Sequence, residues 1–297
     1  MPVMKNPPRP GTPEWRGMIT ASKVPTLLGL SPWSSPYALW HEMYAGLEPP
    51  ALEGDHLRWG HIAEQSLVGW WLDANPDWTV NPPVRGVTEI TYTDPSLPFP
   101  NAVTLDRRAW HRGKRTHHII ECKTTRDMDQ WGRPGDPDSV PAHYLAQVIF
   151  QMGVSGIHEA SVVVLGFGTP EIHEVQWDED VWDSIVAACT RWHHTGIAGD
   201  PPPLDDRVAT YDAVRGLHPD IDRDTDTQVD HDQAVALLDA LEEEAAAKAT
   251  VVAAKTLLLD QMGTARRALV GDTTIATRTP GRGDSITLRI NRKANLT

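Results

Sequence analysis

Apolar side chains recur at a helical period from about Leu57 to Ala74, through Trp59, Ile62, Ala63, Leu67, Trp70 and Trp71, and predict a long amphipathic helix. Two shorter helices are expected before it. One runs from an N-cap at Ser22 to Leu28, with Gly29 as its stop, and the other covers Pro36 to Tyr44. Short β-branched and apolar runs bounded by turn residues then predict strands at Trp78–Val80, Val87–Tyr92, Asn101–Leu105 and His117–Lys123. A polar, Pro/Gly-rich loop from Arg126 to Asp138 leads to Pro141, placed to start a helix that continues to about Val154. Strands at Glu159–Phe167 and Glu171–Trp177 and a helix at Glu179–Ile197 follow.

The pattern changes at the DPPPLDD run of Asp200–Asp206. Four regions are expected: a loose Pro-rich N-terminus (1–13), a core (14–200), an acidic linker (201–230), and an appendage (231–297) made of one long helix closed by Gly263 and a β-hairpin or small sheet. Helices, strands, a helix and more strands in this order give an α/β (α+β) fold class, a mixed sheet flanked by helices.

Composition narrows the class. The chain has 297 residues, 40% hydrophobic and 23% charged, enough for a substantial core. No apolar run approaches the length of a membrane span, and the N-terminal stretch lacks the apolar segment of a signal peptide, so a soluble protein of the cytoplasm is expected, with no membrane partner. Two cysteines exclude a disulfide framework and a four-thiolate cluster. The formal net charge of −13 argues against bulk polyanion binding, yet Arg107, Arg108, Arg112, Lys114 and Arg115 form a basic cluster between Asp106 and Glu121.

That cluster separates the residues with the most chemistry. Alternation along a strand puts Glu121 and Lys123 on one face and Cys122 on the other. Asp106 ends the strand NAVTLD, and if that strand pairs with the next, Asp106 stands beside Glu121. Two converging carboxylates repel unless a cation lies between them, and a hard divalent ion such as Mg²⁺ meets that need. With a lysine beside it, such a site suits phosphodiester hydrolysis. An Glu-x-Lys triplet alone is most often a surface ion pair; the basic cluster adds the positive charge that a phosphate chain beside two acids requires.

The order Asp-x(14)-Glu-x-Lys resembles the PD-(D/E)XK nuclease superfamily. WRGMITAS (Trp15–Ser22), RWGHIAEQ (Arg58–Gln65) and VPAHYLAQVIFQMGVSG (Val140–Gly156) stand in the order of the motifs of the YqaJ-type viral recombinase family, which includes phage lambda exonuclease. The resemblance spans roughly residues 14–197 and implies a restriction-endonuclease-like core. It implies Asp106, Glu121 and the Cys122 carbonyl as metal ligands, Glu64 as a further metal-supporting acid, Lys123 as the group that positions or activates water, and Gln147 as its orienting partner. Arg16 and Ser22 would grip a 5′-phosphate.

The implied activity is a Mg²⁺-dependent 5′-to-3′ exonuclease on linear duplex DNA, with Mn²⁺ able to substitute. The implied setting is phage-type recombination in a host cytoplasm, with a single-strand annealing protein as partner and a trimeric ring as the assembly. An endonuclease or branched-DNA nuclease of the same superfamily is the alternative, and a DNA-binding scaffold with a retired site is another. Gln147 is followed four residues later by Gln151 rather than Tyr, and four cysteines are lacking; both features separate the chain from the RecB-like iron–sulfur branch.

Overall fold

The computed structural model describes residues 1–49, 54–82, 88–283 and 285–296, without the side chains of residues 56 and 57. It divides into two compact units, Met1–Ile221 and Asp222–Thr297.

In the first unit the elements run α1 (Pro13–Arg16), β1 (Ile19–Thr20), α2 (Val24–Leu27), α3 (Pro36–Tyr44), α4 (Asp55–Ala74), β2 (Trp78–Val80), β3 (Ile90–Tyr92), β4 (Asn101–Leu105), β5 (Arg107–His111), β6 (His117–Thr124), α5 (Ala142–Ser155), β7 (Glu159–Leu165), β8 (Glu171–Gln176), α6 (Glu179–Ala198) and α7 (Val208–Leu217). The expected α/β class is correct. Five strands form a mixed sheet in the order β2-β5-β6-β7-β8, and three form a second sheet in the order β1-β4-β3. The parallel β6–β7 pair is connected through α5. Helix α5 begins after Pro141 and ends at Gly156, which takes a left-handed conformation at φ 72°.

The central strands are apolar on both faces because helices cover both. On one face Ile120, Cys122 and Val163 pack with Leu67 and Trp71 of α4; on the other Ile119 and Val162 join the cluster built around Ile149 and Phe150 of α5. Trp71 and Trp192 are buried, whereas Trp59 and Trp70, periodic positions of the expected helix, are exposed.

Several expectations change. Asn101–Leu105 pairs with β1 and β3, not with His117–Thr124; the antiparallel partner of β6 is β5, which begins within the basic cluster. Val87, part of an expected strand, lies outside the described residues. Ser22 does not cap α2: residue 23 occupies that position, and the Ser22 hydroxyl lies 3.1 Å from that of Thr20. Within 201–230, read as linker, α7 packs on α3, and the Arg207 guanidinium donates to the carbonyls of Gly29, Ser31 and Ser34. The segment 1–13, expected to be loose, is paired: Val3 bridges Tyr92, and the Met4 N–H donates to the Thr91 carbonyl at 2.9 Å.

The second unit contains α8 (His231–Met262), β9 (Arg267–Val270), β10 (Thr273–Pro280) and β11 (Ile286–Ile290). Its strands make a three-stranded antiparallel sheet rather than a lone hairpin. Among the described residues no helix is long and apolar enough to cross a membrane.

Candidate active site

One residue, Asp106, lies between β4 in the smaller sheet and β5 in the larger. The β5–β6 register pairs Arg107 with Ile120, which brings Asp106 opposite Glu121. The contact is direct: Asp106 Oδ2 accepts the Cys122 backbone N–H at 2.9 Å. Ala102, Thr104, Asp106 and Arg108 alternate along the chain and all line one cleft of about 1040 Å³, with Glu121, Gln147, Glu64 and Ser22.

Glu121 is 2% exposed. Its Oε1 accepts from Lys123 Nζ and from Gln147 Nε2, each at 2.6 Å, and its Oε2 accepts from Gln151 Nε2 at 2.8 Å. Lys123 also donates to Gln147 Oε1 at 3.3 Å, and its ammonium lies 5.0 Å from the Tyr144 ring centre. A buried carboxylate is thus held by one cation and two amides from successive turns of α5.

Asp106 is held less completely. Oδ1 has no hydrogen-bond partner among the described residues. Burial raises its pKa well above the carboxylate range, and the Glu121 charge raises it further; Lys123 and the Cys122 N–H counteract only part of this. At Lys123 burial works against the charged form, but Glu121 and Asp106 more than offset it and raise its pKa. Burial, then the charges of Asp106 and Glu121, raise the Cys122 thiol, which faces the opposite side of the sheet and is no candidate thiolate.

Glu64 lines the cleft from α4, 3.2 Å from His61 Nδ1, and its charge is felt at Asp106. Among the described residues no three His, Cys, Asp or Glu side chains form a ready metal cage. The donor set is instead two carboxylates that repel each other, with Glu64 as a further acid on the same cleft. A hard divalent ion fits this set, because it would offset both the burial and the Glu121 repulsion that raise Asp106.

The structure therefore brings Asp106, Glu121, Lys123, Gln147, Glu64 and Ser22 together, but not Arg16. Both terminal nitrogens of Arg16 bond Glu48, at 2.6 and 2.5 Å, and Arg16 is not among the residues lining the cleft. Sequence reasoning gave no role to Gln151, although its spacing of four from Gln147 on an otherwise apolar helix was a visible signal. Arg108, two residues beyond Asp106 on one strand face, was read only as part of a charge cluster.

Among solved structures, the chain is similar to LHK-Exo, an alkaline exonuclease from Laribacter hongkongensis, at 15% identity over 64% of this chain and 94% of that one, with a TM-score of 0.46. The similarity to LHK-Exo in complex with dAMP covers 63% and 92%, with a TM-score of 0.47 and the same 15% identity. An uncharacterized protein, YqaJ of Bacillus subtilis (strain 168), is 22% identical over 210 residues, 68% of this chain. The match spans 60% of that relative's length. Residues 14–158, which carry Asp106, Glu121, Lys123 and Gln147, match the YqaJ-like viral recombinase domain.

Proposed function

We propose that the chain is a Mg²⁺-dependent exonuclease that degrades one strand of linear duplex DNA from its 5′ end and leaves a 3′ single strand, the substrate an annealing protein would take up in recombination. One observation carries the reading: two acids, Asp106 and Glu121, converge at the floor of a cleft with Lys123 hydrogen-bonded into the same cluster.

Asp106, Glu121 and the Cys122 carbonyl would hold the ion, with Glu64 behind them, and the bound ion would lower the pKa of a water and neutralise charge on the phosphate. Glu121 is fixed by its three donors, so its orientation does not have to be found during reaction. Lys123 gives one hydrogen to Glu121 and one to Gln147, which leaves a third N–H for the attacking water or a phosphate oxygen. Ser22 offers a hydroxyl at the cleft wall. Arg16 could join it only after releasing Glu48.

The test uses a linear duplex with 5′-phosphates, the same duplex with 5′-hydroxyls, and a closed circle, each with and without Mg²⁺. Metal-dependent loss of the phosphorylated duplex with the circle intact is expected. A nicked or linearised circle would instead make the protein an endonuclease. No cutting of any DNA, with Mn²⁺ also tried, would remove the enzymatic reading.

A further inference from the structure

A cleft floored by carboxylates repels a phosphate chain, so it needs cations that its own acids do not consume. Most basic side chains near the site are already committed: Arg16 to Glu48, Lys123 to Glu121 and Gln147, and Arg107 to the carbonyl of Asp106. Two are not. Among the described residues lining the cleft, the lysine and arginine are Lys5 and Arg108.

Arg108 projects on the Asp106 face, two residues along the strand, a step of about 7 Å. Among the described residues its one side-chain bond goes from Nη1 to the neutral Tyr92 hydroxyl at 2.8 Å. That bond orients the guanidinium without neutralising it and leaves four of its five N–H groups. Lys5 forms no ion pair among the described residues, yet it is not on a free tail. The segment before it is pinned to β3 through the Val3–Tyr92 bridge, and Pro7, Pro8 and Pro10 continue the cleft wall. The stretch around Tyr92 thus anchors both: the backbones of Thr91 and Thr93 hold the segment that carries Lys5, and the Tyr92 hydroxyl holds Arg108.

We propose that Lys5 and Arg108 form a phosphate-binding edge of this cleft, which takes backbone phosphates of the nucleic-acid strand next to the one presented to Asp106 and Glu121. This rests on the nuclease reading and goes beyond it by assigning the backbone grip to residues other than Arg16 and Ser22. Glu89 also lines the cleft, with Glu64, Asp106 and Glu121, so Lys5 and Arg108 are the lysine and arginine of a lining that carries four acids. The contacts are to phosphate, so they hold the strand in register without reading its sequence.

The experiment is fluorescence anisotropy of a labelled duplex against salt concentration, in EDTA, with the full-length protein. Lys5→Ala and Arg108→Met should weaken binding equally for unrelated sequences, and each should flatten the log–log salt slope by about 0.7 to 0.9, the value of one phosphate contact. Arg108→Lys should restore most of the slope. Arg115→Ala, the same charge change on the exposed β5–β6 turn, should leave the slope unchanged. Melting temperatures monitor folding, and if Arg108→Met fails to fold, Lys5→Ala and Arg108→Lys still decide. Unchanged slopes for the cleft variants, or an equal loss in Arg115→Ala, would overturn the edge. If wild type still cuts linear DNA in that case, the nuclease reading stands; wild type that neither cuts nor binds overturns both.

Discussion

Gln151→Met separates what a buried side chain does for the site from what it does for the fold. Gln151 is 1% exposed, and its Nε2 gives both hydrogens away, to Glu121 Oε2 at 2.8 Å and to the Thr104 carbonyl at 3.2 Å. The opposite amide orientation would put oxygen against two acceptors, so this one is forced. Its Oε1 is buried without a hydrogen-bond partner. Methionine keeps the length and removes every polar atom. The charge-assisted bond is worth about 1.5–3 kcal/mol and the neutral one about 0.5–1.5, while deleting the orphaned acceptor returns about 1–3. The terms nearly cancel and leave a net loss of roughly 1 kcal/mol, a few degrees in Tm for a unit of this size.

The site does not share in that cancellation. Without Gln151, Glu121 Oε2 loses its only donor among the described residues, and the carboxylate is fixed on one side alone. Loss of such an orienting partner typically costs about 10–100-fold in metal affinity or activity. Calorimetric titration of Mn²⁺ and thermal melts in EDTA should therefore diverge: a large fall in affinity and cleavage with a small change in Tm. Unchanged Mn²⁺ affinity, or a loss of cleavage that only follows a collapse in Tm, would refute the reasoning and make Gln151 a packing residue.

Two predictions concern the scaffold. His118, bonded to Ser161 at 2.7 Å, has its pKa lowered by burial to about 4. The unfolded chain binds this proton below about pH 6.5 and the folded one does not, so stability is full above that pH and falls by about 3 kcal/mol as pH drops to about 4. Urea melts of His118→Gln should show a shallower acid decline, and an unaltered one would remove His118 as its source. Gly153→Ala would place a Cβ inside the Trp182 ring where α5 packs on α6. Overpacking of about 1–3 kcal/mol exceeds the helix-propensity gain of roughly 1, so Tm should fall, and a rise would show that Trp182 moves aside freely.

What the sequence made legible was the chemistry carried by short spacing. Glu121 and Lys123 share a face because alternation on a strand is local, and Gln147 is one helix turn from Gln151 for the same kind of reason. Asp106 was placed beside Glu121 correctly but through the wrong strand. RRAWH has no apolar run to mark β5, and its strand state comes from pairing with β2 and β6. Helix α7 was hidden by flanking Pro and Asp residues; Thr210 and Ala213, which it buries, are too few to show a pattern. The Arg16–Glu48 pair spans 32 positions and the Val3–Tyr92 bridge far more, and no local rule reports such contacts.

The unforeseen contacts fall into one physical class, and they explain why the two acids are unequal. Glu121 sits in the middle of a central strand under α5, where all its surroundings are rigid elements and amide donors can be aimed at it. Asp106 sits where the chain leaves one sheet for the other, with a single backbone donor and one free oxygen. A carboxylate that is pinned defines a position; one that is buried and repelled by its neighbour defines a demand for charge. With both on one cleft wall, cation binding would relieve Asp106 while leaving Glu121 where it is, so the free energy of binding would come from the residue with the raised pKa and the geometry from the residue with three donors.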